Sequence, residues 1–429
     1  MVRARTPTAS RRAVLGAGAL IAAAPIAGHA ASASDIAEAK RITDRYQTFG
    51  DKASGGPGDT ASGEWIEGEL KALGYAVRRQ AIETPAYDGA ATLTAGSAKV
   101  AVIPEATVVA TPAGGVSGPL YVAGSGKGAG IALIVLPYAR WSTMVGQVER
   151  RVQAAFAAGA SACVVVTTGP TGEACALNTP VDRALFDRPV AILAPRDAEP
   201  FLQAAARGET ATLTMAGRSY RRPAFNVTAR LDRGAAKTLV ISTPRSGWFG
   251  CAGERGTGLA AWWLTSRWAA RAKLPVNVAL IATSGHEYEY AGGERFIAEV
   301  APKPKETALW VHYGANVAAR DWHERGAVLS PLPSADPQRF LAASPALVPA
   351  AKAAFAGQPG LEAPYATDPG QTAGELASIL KAGYDPIIGI FGSHRFHHTR
   401  GDDLRCVEPA LIPPVADAMA RVITGALKA

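Results

Sequence analysis

KTLVISTPRSGWFGCAGERGTGLAAWWLTSRWAARAKLPVNVALIAT, residues 237–283, reads as strand, helix and strand. KTLVIST (237–243) and NVALIAT (277–283) are short apolar runs, too brief for helices and too continuous to leave one face in water. Between them GTGLAAWWLTSRWAARA (256–272) has helical length, and its Trp262 and Trp263 read as packing residues. Strands covered on both faces belong to parallel sheets flanked by helices. ALWVHYG (308–314) and PIIGIFG (386–392) extend the pattern, with helices at QTAGELASILKAG (371–383) and EPALIPPVADAMARVITGAL (408–427). The prediction is an α/β fold with a mostly parallel, doubly covered sheet.

In such sheets ligands bind outside the carboxyl ends of the strands. The four runs empty into Pro244–Phe249 with Cys251–Arg255, into Gly285-His286-Glu287, into His312-Tyr313, and into Ser393–Thr399. Six of the seven histidines fall between His286 and His398. Imidazole is the commonest metal-binding side chain and titrates near neutrality, so histidines interleaved with acids at strand ends point to a reaction centre. Arg245, Arg255, Arg395 and Arg400 share that rim. Guanidinium forks suit carboxylates, which suggests an anionic substrate, although each Arg could instead pair with a structural acid. Trp248 and Tyr288 are candidate walls for substrate. His323, in RDWHERG (320–326), reads as a solvated loop residue.

Upstream, IAEAKRITDRYQTFG (36–50) reads as a helix and SGGPGD (54–59) as a break. TASGEWIEGELKALG (60–74) reads as a second helix capped by Thr60 or Ser62. YAVRRQAIETP (75–85) then alternates like an edge strand. Residues 86–220 consist of short β-like runs with two helices and contain no histidine. That segment reads as an inserted module without chemistry of its own, leaving 34–85 and 221–429 as the catalytic domain.

Residues 1–33 carry Ser10-Arg11-Arg12-Ala13-Val14-Leu15, an Ala/Gly-rich apolar stretch and small residues near Ala30. This is the form of a twin-arginine signal peptide, read by the twin-arginine export machinery. It implies a periplasmic or secreted protein without stable membrane insertion. The net charge of +8 includes four signal arginines, so the remainder is only mildly basic and gives no support for nucleic-acid binding. Four cysteines in an oxidising compartment allow Cys163–Cys175 and Cys251–Cys406 bridges, or buried thiols.

Over roughly residues 40–425 the chain resembles the zinc aminopeptidase family, which includes bacterial leucyl aminopeptidases, glutamate carboxypeptidase II and glutaminyl cyclases. CAGERGTGLAA (251–261) stands where that family has Gly-Ala-Asp-Asp-Asn-Gly-Ser-Gly, GHEYEYAGG (285–293) where it has paired Glu residues, and HHTRGDDL (397–404) matches its closing His-Thr-x-x-Asp. Residues 86–220 resemble its protease-associated insert. The resemblance implies metal ligands at Glu254, Glu287 and His398. It also puts Pro244 and His312 where ligands of a second zinc belong, and His286 at the base position. A single zinc is therefore expected, with the second site lost.

The expectation is an exported, zinc-dependent hydrolase acting on a peptide-like, small or otherwise anionic substrate. His286, His312 and Arg255 would be catalytic, and Arg245, Trp248, Tyr288, Arg395 and His397 would bind substrate. Asp402 or Asp403 would orient His398. The alternatives are acid–base chemistry by His286 and His312 on acidic saccharides, and ligand binding without turnover.

Overall fold

The four apolar runs form adjacent parallel strands in the order Ile387–Gly392, Thr307–Tyr313, Thr238–Pro244, Asn277–Thr283. The structure is a computed structural model and describes residues 32–125, 128–139, 145–326 and 328–428. The twin-arginine motif and its apolar stretch lie outside the described residues. Among those described, no helix is long and apolar enough to cross a membrane.

Alternation along the strands separates two layers. Leu239, Ile241, Val278, Leu280, Leu309, Val311, Ile388 and Ile390 pack with helices Ala33–Gln47, Thr257–Arg271 and Ile412–Ala426. Val240, Ile281, Trp310 and Ile387 face the other way, against Phe296 of helix Ala291–Glu299 and Leu376 and Ile379 of helix Glu375–Lys381. Each buried Leu or Ile contributes roughly 1.5–3 kcal/mol, so register is fixed on both faces. The sheet is mixed rather than uniformly parallel. Arg339–Ala343 pairs antiparallel with Ile387–Gly392, and Thr210–Leu231 antiparallel with Asn277–Thr283.

Residues 86–220 add four parallel strands, Val116–Val122, Ile131–Val135, Ala162–Val166 and Val190–Leu193, with apolar clusters of their own. The borders expected at 85/86 and 220/221 are not chain breaks. Ala76–Ala95 and Thr210–Leu231 form one antiparallel ribbon, running from Ala76 opposite Arg230 to Ala95 opposite Ala211. Its lower half belongs to the sheet above and its upper half to the added strands. Gly89 faces Gly217 in mid-ribbon, and a Cβ on Gly217 would strike the backbone of Asp88 and Gly89.

Other readings are corrected in detail. The second helix starts at Pro57, not Thr60, because Pro at the first helical turn loses no needed N–H donor. RDWHERG is not a loop: Arg320–Arg325 pairs with Val328–Ala335 as a hairpin, with His323 exposed on it. None of the four cysteines is in a disulfide, and all are buried. Cys251 Sγ instead lies 3.2 Å from the Tyr46 hydroxyl, and Cys406 packs with Trp322 and Phe396.

Candidate functional site

The parallel strands bring their carboxyl-end loops to one edge of the sheet. The Thr238–Pro244 strand leads into a π-helical turn, Ala252–Gly256, that carries Glu254 and Arg255. Asp402 fixes this turn by accepting the N–H groups of Gly253 (Oδ1, 2.6 Å) and Glu254 (Oδ2, 3.0 Å), and His394 Nε2 lies 3.2 Å from the same Oδ2. Of seven non-glycine residues with positive φ among those described, Phe249, Cys251, Glu289, Tyr290 and His398 lie in the rim loops. Such backbone costs about 1–3 kcal/mol per residue and collects where side chains must be aimed.

Glu254 is fully buried; its Oε2 accepts no hydrogen bond, and its Oε1 is ion-paired with Arg255 Nη2 at 2.7 Å. Two imidazoles face it: His398 Nε2 at 3.2 Å and His397 Nε2 at 3.8 Å, both from Oε1. The two rings stack with centroids 4.0 Å apart and planes 18° off parallel. His398 Nδ1 lies 3.0 Å from the Ala176 carbonyl, so it carries the ring proton and Nε2 is left as a lone-pair donor. Burial alone would raise the Glu254 pKa, but Arg255 and the two histidines hold it well below the carboxylate range. Burial also pushes His397 well below the usual imidazole range, so it stands neutral.

Glu254, His397 and His398 each offer a ligand atom, and all lie within 4.8 Å of one another. One carboxylate and two imidazoles make a catalytic zinc donor set, with room for a fourth ligand. A buried carboxylate with one oxygen unpaired, met by a lone-pair nitrogen, fits a divalent cation. The group that converges is not the expected trio. Glu287 stands apart, with Arg255 Nη2 between it and Glu254, at 2.7 Å from Glu254 Oε1 and 3.5 Å from Glu287 Oε1. Ser246 and Ser54 donate to Glu287 Oε2 at 2.8 and 3.1 Å. His397, expected against substrate, faces Glu254 instead, beside His398. Asp402 orients the Glu254 turn, and the Ala176 carbonyl holds His398 in place of the expected aspartate.

His286 and His312 meet at a residue the sequence did not single out. His286 Nδ1 lies 3.3 Å and His312 Nε2 3.8 Å from Glu375 Oε2, and all three are buried. His312 Nδ1 sits 2.9 Å from the Ser242 hydroxyl. Burial and then Arg255 push His312 down to about 3 and hold His286 well below the imidazole range. His286 is thus not the near-neutral base expected of it. Burial raises Glu375 to about 8, so it carries a proton at neutral pH. Nothing in ELASILK distinguishes Glu375 from an ordinary first-turn acid.

Folding therefore takes up a proton at Glu375 between its ordinary 4.5 and about 8. The sign for a raised acid is a contribution full below 4.5 and lost as pH rises through about 8. Glu375→Gln should flatten the fall in Tm across that window. A fall of the same steepness in the variant would assign the proton elsewhere.

Two of the arginines expected to bind substrate are engaged inside the protein. Arg245 is fully buried, with Nε 3.2 Å from Asp59 and Nη1 donating to the Ala282 carbonyl. Arg395 is held by Asp336 (3.0 Å), Glu324 (2.6 Å) and Asp321 (3.4 Å). Arg400 lies over the Phe249 ring. Tyr288 is buried, donates to the Pro85 carbonyl and meets Trp248 edge to face. Trp248 remains half-buried, its indole N–H held by Asn178.

The segment 173–179, read as chemically silent, lies on the site. Ala176 N–H donates to the His398 carbonyl (2.9 Å) and Thr179 N–H to the Glu287 carbonyl (3.0 Å). The Glu173 carboxylate accepts from Gly401 N–H. These are mostly backbone contacts over more than a hundred residues of separation, so no side-chain pattern announced them.

The fold is that of the zinc aminopeptidases. Among solved structures the chain is similar to a zinc aminopeptidase from Bacillus subtilis, with a TM-score of 0.70 and 14% identity over 91% of this chain and 95% of that one. An aminopeptidase from Aneurinibacillus sp. strain AM-1 gives 0.63 and 17% over 93% and 95%. A peptidase M28 precursor from Shewanella amazonensis gives 0.65 and 14% over 90% and 95%. No protein-family model matches the chain, and no curated protein matches it.

Proposed function

We propose that this chain is a hydrolase that uses one divalent cation, zinc, held by Glu254, His397 and His398, to cleave a peptide-like amide. The observation that carries this reading is the convergence at the strand ends of two imidazole nitrogens and one buried carboxylate whose Oε2 has no hydrogen-bond partner. Bound there, zinc would supply a polarised carbonyl and a nucleophilic water near neutral pH. Arg245 and Arg395 already face buried acids, so neither guanidinium is open to an anionic substrate.

The chain's own residues supply the proton handling. Protonated Glu375 donates to His286 Nδ1, which leaves the imidazole proton on Nε2, as a donor to a carbonyl oxygen or a leaving amine. When Nε2 gives its proton up, the Glu375 proton passes to Nδ1 and keeps the imidazole neutral, and the proton shed by the attacking water restores Glu375. Segment 173–179 narrows the approach and keeps His398 in its ligating tautomer.

Metal analysis of the mature protein should give about one zinc per chain, lost in His397→Ala, together with hydrolysis of aminoacyl anilides. Undiminished hydrolysis by a metal-free preparation would end this reading. His286→Ala should lower kcat by about 10²–10⁴-fold while zinc content stays unchanged. Loss of zinc in that variant would make His286 a ligand instead. The Ser10–Leu15 motif supports export by the twin-arginine route, which Arg11→Lys/Arg12→Lys should block in cell fractionation.

A further inference from the structure

Arg255 is buried at the centre of the site, and its contacts are unusual for a structural arginine. Nη2 stands between two buried carboxylates, Glu254 and Glu287, and Nε donates to the Ser246 carbonyl at 3.0 Å. Nη1 is buried without a partner. A guanidinium placed for its hydrogen bonds would use its fork; this one leaves half the fork empty. What holds it is charge. Without it, two carboxylates would share a water-poor space, each uncompensated, a cost of several kcal/mol per ion by general experience.

We infer that Arg255 is a resident cation of the metal site: it occupies the space between Glu254 and Glu287 that a second divalent ion would take, and so limits the site to one. The inference rests on the single-metal reading above and explains its stoichiometry. Glu287 then acts without ligating. Its carboxylate, backed by Ser54 and Ser246, lies 3.5 Å from the guanidinium and takes a share of its charge, while Nη2 rests 2.7 Å from Glu254 Oε1, the oxygen both imidazoles face. Arg255 and Glu287 are positioning residues for the metal, and the pair balances charge around Glu254.

The test measures metal by mass spectrometry and equilibrium titration, with Zn²⁺ and Co²⁺ as the probes. Arg255→Met, uncharged and of similar length, should bind two ions per chain where the native protein binds one, and its Tm should rise with added metal more steeply than the native protein's. Adding Glu287→Gln to that variant should return it to one. Arg255→Met that binds one ion and responds to metal like the native protein overturns the inference. Glu287→Gln alone tests it without removing the arginine. With the second carboxylate neutral, the guanidinium charge falls on Glu254 alone, and Zn²⁺ affinity should fall about tenfold or more, within the range seen for outer partners of metal ligands. Unchanged affinity in Glu287→Gln overturns the inference too. A native protein that binds no ion, beside an Arg255→Met protein that binds one, would refute the single-zinc reading but keep Arg255 as the resident cation.

Discussion

Glu254→Gln is expected to remove zinc and at least about 10³-fold of hydrolytic rate, a loss of about 4 kcal/mol of transition-state stabilisation. The substitution preserves shape, so the effect is one of charge. His397 stands neutral and His398 turns a lone pair inward, leaving Glu254 as the one anionic donor of the set. With Gln there, a dication would sit beside two neutral imidazoles and the Arg255 guanidinium, with no anion among its ligands. Zinc content by mass spectrometry and kcat on an aminoacyl anilide should fall together. A variant that keeps zinc at native affinity would remove Glu254 from the ligand set, and with it the proposed mechanism.

Arg395→Met should cost about 3–5 kcal/mol of stability, as for other buried pairs that lose one partner. Arg395 joins Asp336, which is fully buried, to Glu324 and Asp321 on the hairpin strand Arg320–Arg325. Burial pushes Asp336 upward and Arg395 opposes it, so deleting the guanidinium leaves a stranded carboxylate. Chemical denaturation gives the loss, and Asp336→Asn in the same chain should recover a large part of it, because the two sites are directly coupled. Native stability with a raised KM in Arg395→Met would restore this arginine to substrate binding.

The strands were legible because each is an apolar run of strand length with a polar end, and burial on both faces permits nothing else. Their carboxyl ends mark the edge at which Glu254, His397 and His398 converge. What could not be read was which side chains touch. His397 and His398 are adjacent in sequence, yet the left-handed backbone at His398, φ 59°, lets both rings face Glu254. The resemblance put Glu287 among the ligands; in the fold Arg255 Nη2 lies between it and Glu254. Glu375 looks like any helix-opening acid until Leu376, packed in the second core, buries it beside two imidazoles. Arg395 sits within a histidine-rich string, and only the hairpin from 320 to 335, with Asp336 just after it, reveals its three acids.

The ribbon of Ala76–Ala95 and Thr210–Leu231 has a further consequence. It supplies edges to both groups of strands, so the two apolar clusters share one spine of paired backbone. Neither cluster can come apart while leaving the other's border intact, and heat should undo them as a single cooperative event rather than in two stages. Excising 86–220 would cut that spine at its waist, between Pro85 and Arg221, and take the second half of the molecule with it.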